Sequence, residues 1–300
     1  MTEVRCVLAA RSVLSEGALW SPREQALYWV DQMRPELHRL DPATDIDRKF
    51  ALDLPGQLGA LVPRAAGGFV LAAADGLSFI DAAFTRRTPF VHPAQGRPRA
   101  SFNDAKCDRQ GRLWAGTTDR LETEPIGEFF RIDPDGGATL VADGFITSNG
   151  PSFSPDGRIL YHTDSHAGTI NAYDVDPDTG AASNRRLFAR IDRADGVPDG
   201  STVDAEGHVW TAHWGGGRVT RFSPDGRVAR VIAMPVRSAT SVAFGGPEMT
   251  TLFVTTASID MGPQGWIYMS DEQFAAAPTE GGIFAVEVGV RGLAEPAFRG

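Results

Sequence analysis

The sequence predicts an all-β chain folded as a six-bladed β-propeller, with four-stranded antiparallel blades around a central channel. Three observations carry this. Glycine and proline, 33 and 20 residues, punctuate the 300-residue chain at regular intervals. Between them lie short runs rich in β-branched and aromatic residues, such as Ala26-Leu-Tyr-Trp-Val30, Arg112-Leu-Trp-Ala115 and His208-Val-Trp-Thr211, too short for helices. Six segments also repeat, starting at Glu16, Leu58, Asn103, Asn149, Asp199 and Thr240. Spacings of about 40–50 residues are those of four-stranded blades.

Each unit opens with one strand, turns, and returns through a second strand that carries an aromatic. Asn149-Gly-Pro-Ser-Phe-Ser-Pro leads through Asp156-Gly157 to Leu160-Tyr161, and Asp199-Gly-Ser-Thr-Val-Asp leads through Glu206-Gly207 to Val209-Trp210. A third strand follows in several units, as in Phe130-Arg-Ile-Asp-Pro-Asp-Gly136. Six units consume the chain, so residues 1–300 are expected to form one propeller domain. Glu3-Val-Arg-Cys-Val-Leu8 is left over and is placed on the last blade, closing the ring. Asp271-Glu-Gln-Phe-Ala-Ala-Ala277 is the one plausible helical segment.

Composition narrows the function. Twenty-nine Lys+Arg against 38 Asp+Glu give a net charge of −9, with only Lys49 and Lys106 as lysines, so a nucleic-acid partner is not expected. No apolar run approaches the ~18 residues of a membrane span. The start, Met1-Thr-Glu-Val-Arg5, has neither a basic n-region nor an apolar h-region. Cys6 and Cys107 are too few for a disulfide framework and lack metal-ligand spacing. The expectation is a cytoplasmic protein, a monomer or weak homo-oligomer, with no membrane partner.

The first strand of a propeller blade lines the axis, so the first positions of the six units should converge. They read Glu16, Leu58, Asn103, Asn149, Asp199 and Thr240. Asn-Gly and Asp-Gly are strong turn formers, and any one of these residues alone would be read as a turn. Four hard oxygen donors at matching positions are another matter. Unpaired carboxylates on a narrow axis repel and are poorly solvated, whereas a bound cation resolves both costs. All-oxygen ligation suits Ca²⁺, Mg²⁺ or Mn²⁺.

Ser15-Glu-Gly-Ala-Leu-Trp20, Phe102-Asn-Asp-Ala-Lys-Cys-Asp108, Gly111-Arg-Leu-Trp-Ala-Gly-Thr117, Ser148-Asn-Gly-Pro151 and Pro198-Asp-Gly-Ser-Thr-Val-Asp204 resemble the signature segments of the regucalcin/gluconolactonase (senescence marker protein) family. The resemblance runs through essentially the whole chain and implies hydrolysis of a small-molecule sugar lactone. It implies one divalent cation of loose selectivity (Ca²⁺, Mn²⁺, Mg²⁺, Zn²⁺ or Fe²⁺) held by Glu16, Asn149 and Asp199. It further implies that Asp199 accepts the proton of the attacking water and that Asn103 contacts substrate or water. Ser101 stands where many relatives carry Arg, and Asp119 follows Gly116-Thr-Thr where some place an acidic residue. Both are expected at the sugar hydroxyls. Asp104, next to Asn103, is the fallback base.

Other chemistries find little support. There is no Gly-x-Ser-x-Gly elbow, and Trp214-Gly-Gly-Gly217 has no following helix to make a phosphate loop. The six histidines read as blade-packing or loop residues, and Trp20, Trp29, Trp114 and Trp210 as packing between blades. Residues 258–270 read as an insertion that flanks the channel mouth or forms a plain surface loop. The competing functions are a binding scaffold with a structural cation, which predicts a plugged axis, and a propeller hydrolase for other esters or phosphotriesters.

Overall fold

The computed structural model describes residues 3–262 and 265–300. Six four-stranded antiparallel sheets stand in a ring, as the repeat predicts. Blades 1 to 5 run outward in chain order from inner strands Ser15–Ser21, Leu58–Pro63, Ala100–Cys107, Ser148–Phe153 and Val197–Val203. Blade 6 is composite: Ala239–Gly245, Thr251–Thr256, Ile283–Glu287, and then Val4–Leu8 as its outer strand. Each inner strand packs on those of the two neighbouring blades, so the ring is continuous. The single α-helix among the described residues is Asp271–Ala276, capped by Ser270.

Burial follows distance from the axis. The inner strands of blades 3, 4 and 6 are buried along their whole length, whereas outer strands such as Ile46–Ala51 and Ala138–Phe145 are largely exposed. Residues facing other strands on both sides must be apolar or hydrogen-bonded, which explains the near-continuous small and apolar character of the inner strands. Trp29, Trp114 and Trp210 are fully buried. Trp114 and Trp210 donate their indole N–H to Asp108 and Asp204 (3.1 and 2.9 Å), the aspartates that open the turn before each tryptophan. Arg112 and Arg221 pair with the same carboxylates.

The carboxy-terminal tail runs beneath the ring. Ala205 N–H donates to Arg291 carbonyl, Phe298 is fully buried and bridges to Arg64, and Arg299 N–H donates to Gly111 carbonyl. Glu295 accepts from the buried Lys106 ammonium (2.9 Å), which also donates to Ser201 carbonyl (2.8 Å). This end of the axis is filled by protein.

His162 tests the packing. Its ring is fully buried against Phe129 and Phe145 (centroids 4.4 and 4.6 Å), with Nε2 2.7 Å from Ser148 Oγ. Burial, helped by Arg185, drives its pKa down to about 3. The folded ring therefore stays neutral while an unfolded histidine, pKa about 6.5, takes up a proton. Stability is thus lost as pH falls below about 6.5. Between pH 7 and 5 this residue alone is expected to cost about 2 kcal/mol, at roughly 1.4 kcal/mol per pH unit. NMR titration of the imidazole checks it; a midpoint near 6.5 in the native state would refute it.

Candidate functional site

All six inner strands break register at the same place. The irregularities fall between Glu16 and Leu19, Leu58 and Ala60, Phe102 and Ala105, Asn149 and Ser152, Pro198 and Ser201, and Ala239 and Val242. A bulge releases residues from the ladder and re-aims their side chains. The repeat's first column sits in these bulges. Gly150 shows why glycine follows: its φ is +49°, and a Cβ there would lie 2.9 Å from Asp199 carbonyl, Ser201 Oγ and Thr163 Oγ1.

The bulges bring Glu16, Asn103, Asn149 and Asp199 from blades 1, 3, 4 and 5 to one cavity of about 310 Å³, opposite the end filled by the tail. All four are buried. Burial pushes the Glu16 carboxyl well above the usual range, and the charges of Asp199 and Asp104 push the same way. Burial likewise raises Asp199, with Asp104 and Glu122 adding to it. Among the described residues neither carboxylate has an arginine or lysine partner. Two buried carboxylates without a counter-charge are costly unless something positive sits between them.

The amides are wired together. Gln32 Nε2 donates to Asn103 Oδ1 (2.8 Å), Asn103 Nδ2 to Asn149 Oδ1 (2.6 Å), and Asn149 Nδ2 to Ser165 Oγ (2.9 Å). Asn103 Nδ2 also reaches Ser148 carbonyl (3.1 Å). Asn103 thus holds Asn149 in place, and its own donors are taken by protein.

Three sequence expectations do not reach the cavity wall. Ser101 is buried in its strand, its hydroxyl donating to Phe102 carbonyl (3.3 Å). Asp104 faces the filled end, where it accepts from Ala105 and Gly150 N–H (2.8 and 2.9 Å) and adjoins Lys106 and Glu295. Asp119 ends the second strand of blade 3 and is fully buried. Burial alone would raise its pKa, but Arg99 and the N–H groups of Thr123, Glu124 and Leu121 outweigh that and hold it well below the usual range. It is the latch of the 120–124 turn. The acid this turn delivers to the cavity is Glu122, at φ +50°. Asp119→Ala should unlatch the turn and raise the KM for substrate several-fold through Glu122; an unchanged KM would remove the link.

Five further lining residues lie off the inner strands. His166 Nε2 lies 3.2 Å from Glu122 Oε2, and Arg193 Nη2 donates to His166 carbonyl (3.3 Å). Trp214 meets Trp266 edge-on, centroids 6.1 Å apart. Trp266 and Asp260 lie on the hairpin Ile259–Gly262/Gly265–Tyr268, so the 258–270 insertion flanks the cavity. Pro263 and Gln264 within it lie outside the described residues.

Asp204, Glu206 and His208 also bring ligand-type atoms within 4.8 Å of one another. Asp204 there accepts from Trp210, Arg221 and the N–H groups of Glu206 and His208, and Arg221 also binds Glu206. A cation is already in place, and it is arginine.

The propeller is closed at one end and carries, in a cavity at the other, an unpaired cluster of carboxylate and amide oxygens, the donor types that could hold a cation. The chain belongs to the SMP-30/gluconolactonase/LRE-like family, whose model matches residues 14–258. It is 38% identical over 298 residues to a 6-deoxy-6-sulfogluconolactonase of Pseudomonas putida, covering 99% of each chain. It is 36% identical to a pentonolactonase of Haloferax volcanii, covering 95% of this chain and 94% of the other. The solved structure of the calcium-binding protein regucalcin from Agrobacterium tumefaciens superposes with a TM-score of 0.90 at 28% identity, covering 99% and 98%.

Proposed function

We propose that this protein is a divalent-metal-dependent hydrolase of sugar lactones. The observation that carries the reading is the axial pair Glu16 and Asp199, buried beside the Asn149 amide without a counter-charge. Family membership supports the substrate class, since two of its relatives are named lactonases. The donor set fits a hard cation: carboxylate and amide oxygens, with no thiolate or imidazole in the inner column. Glu16, Asn149 and Asp199 would hold it. When bound there, a divalent cation supplies Lewis acidity toward the lactone carbonyl and water.

The residues divide the remaining work. Asp199 takes a proton from the attacking water as the new C–O bond forms. The acyl–ring oxygen bond then breaks, and the proton passes to the departing ring oxygen, giving the open hydroxy acid. Asn103 keeps Asn149 in its orientation through the 2.6 Å hydrogen bond. Glu122 accepts from sugar hydroxyls, the role the sequence had placed on Asp119 and Ser101. Trp214 and Trp266 form an apolar wall against the sugar ring.

A pure binding scaffold needs its axis filled from end to end, and the 310 Å³ cavity speaks for the enzyme instead. The test is a panel of γ- and δ-lactones, assayed after chelation and after return of each of Ca²⁺, Mg²⁺, Mn²⁺, Zn²⁺ and Fe²⁺. Hydrolysis above the spontaneous rate, lost on chelation and regained with metal, is expected. Turnover that survives complete metal removal would overturn the metal role, and no turnover of any lactone would overturn the substrate class.

A further inference from the structure

We propose that Arg193 forms an oxyanion subsite at the wall of this cavity, selecting lactones that carry a negatively charged group remote from the reacting carbonyl. The proposal rests on the lactone-hydrolase reading and names its substrate class more narrowly. The cavity is otherwise hostile to anions: Glu16, Asp199, Glu122 and Asp260 all line it. Among the described residues Arg193 is the arginine that lines it, and no lysine does.

The place of that guanidinium, on a wall otherwise lined by acids, is the telling feature. Some arginines of the molecule are matched to carboxylates, among them Arg99 to Asp119, Arg112 to Asp108, Arg218 to Asp195 and Arg221 to Asp204, while others, such as Arg109 and Arg190, bond only to backbone carbonyls among the described residues. Arg193 has no carboxylate partner among the described residues, and its side chain makes one hydrogen bond, to His166 carbonyl at 3.3 Å. Four of its five N–H donors are left over. If its role were to neutralise the axial acids, it would be paired with Glu16 or Asp199, and it is not. The acid of its own turn, Asp195, is already held by Arg218 at 2.9 Å.

The turn is also well anchored. Asp192 caps it by accepting from Ala194 N–H (2.9 Å), and Asp195 N–H donates to Asp192 carbonyl (2.8 Å). The inner strand that carries Asp199 begins directly after it, at Val197. The backbone that carries Arg193 is thus fixed relative to the strand of Asp199, and the exposed side chain reaches the cavity lining without pairing to the axial acids. A planar fork of donors in that position suits a carboxylate, sulfonate or phosphate, each able to accept two parallel hydrogen bonds.

The experiment compares kcat/KM of the metal-loaded enzyme on a neutral six-carbon aldonolactone with that on the same ring bearing a terminal carboxylate or a terminal sulfonate. The wild type should prefer a charged lactone, with the preference shrinking as NaCl is raised. Arg193→Met should cut the charged-to-neutral ratio about tenfold to a hundredfold, mainly through KM, and Arg193→Lys should restore part of it. Which arm responds identifies the oxyanion. Calorimetric binding of the ring-opened charged acid to wild type and Arg193→Met reads the same contrast without turnover. Hydrolysis of neutral lactone with no charge preference, or equal binding by both proteins, would overturn the subsite and leave the lactonase standing. Failure to hydrolyse any lactone, with charged acid still bound through Arg193, would do the reverse.

Discussion

Asp199→Asn is expected to lower kcat on a sugar lactone by at least ~10²-fold, the usual worth of a positioned general base. The substitution keeps a side-chain oxygen able to ligate, and it removes one negative charge and the only strong proton acceptor at that point. If the loss came from weakened cation binding, excess metal would restore the rate. If it comes from the missing base, saturating metal leaves kcat low. Because δ-lactones open spontaneously, the rate should be read against that background on a slower γ-lactone. Recovery of near wild-type kcat in saturating metal would leave Asp199 as a ligand alone. Asp104 would not be the replacement, since two backbone N–H groups hold its carboxylate at the filled end of the axis. Glu122, which lines the cavity and lies near Asp199, would be the next base to test.

The fold and the axial cluster were legible because both follow the repeat. A blade must bury its inner strand against two neighbours, so the aromatic and glycine positions recur, and the column of first residues marks the axis. Glu16, Asn103, Asn149 and Asp199 accordingly meet where the register of first positions puts them. What lies off the repeat was harder to read. Asp119 and Glu122 are three residues apart, and either satisfies an expectation of an acid after Gly116-Thr-Thr. Only the fold reveals that the first is spent on Arg99 and the turn while the second enters the cavity. His166, Arg193, Trp214 and Trp266 have no counterparts in register, because each comes from a strand end, a connecting turn or an insertion. Asn103 lines the cavity, but its bonding depends on Gln32, 71 residues away in sequence. Spacing reports which strand a residue occupies; it does not report which of its hydrogen bonds are already taken.

Glu16→Gln should change stability in opposite directions with and without metal. In the metal-free protein Glu16 and Asp199 are both buried, and burial raises both pKa values well above the ordinary carboxylate range, with Asp199 and Asp104 adding to the rise of Glu16 and Asp104 and Glu122 to that of Asp199. A folded-state pKa above the unfolded one adds stability at low pH, and that contribution is lost as pH rises through the raised value. At pH 7 the uncharged Gln removes the repulsion, so metal-free Glu16→Gln should melt at a higher temperature than metal-free wild type. Added cation reverses the order. At a hundred times its Kd a cation stabilises the folded wild type by about 2.7 kcal/mol, and if the variant binds a hundredfold more weakly, the same concentration gives about 0.4 kcal/mol. A hundredfold is a conservative figure for a direct ligand, since outer partners of metal ligands alone are worth ~10–100-fold. Lactone hydrolysis by the variant should fall toward background at that metal concentration. Thermal melts of both proteins, chelated and with titrated metal, read both signs. A metal-free variant less stable than wild type would mean that Glu16 makes a favourable contact outweighing its repulsion from Asp199. An equal metal response would mean that the cation is held without Glu16.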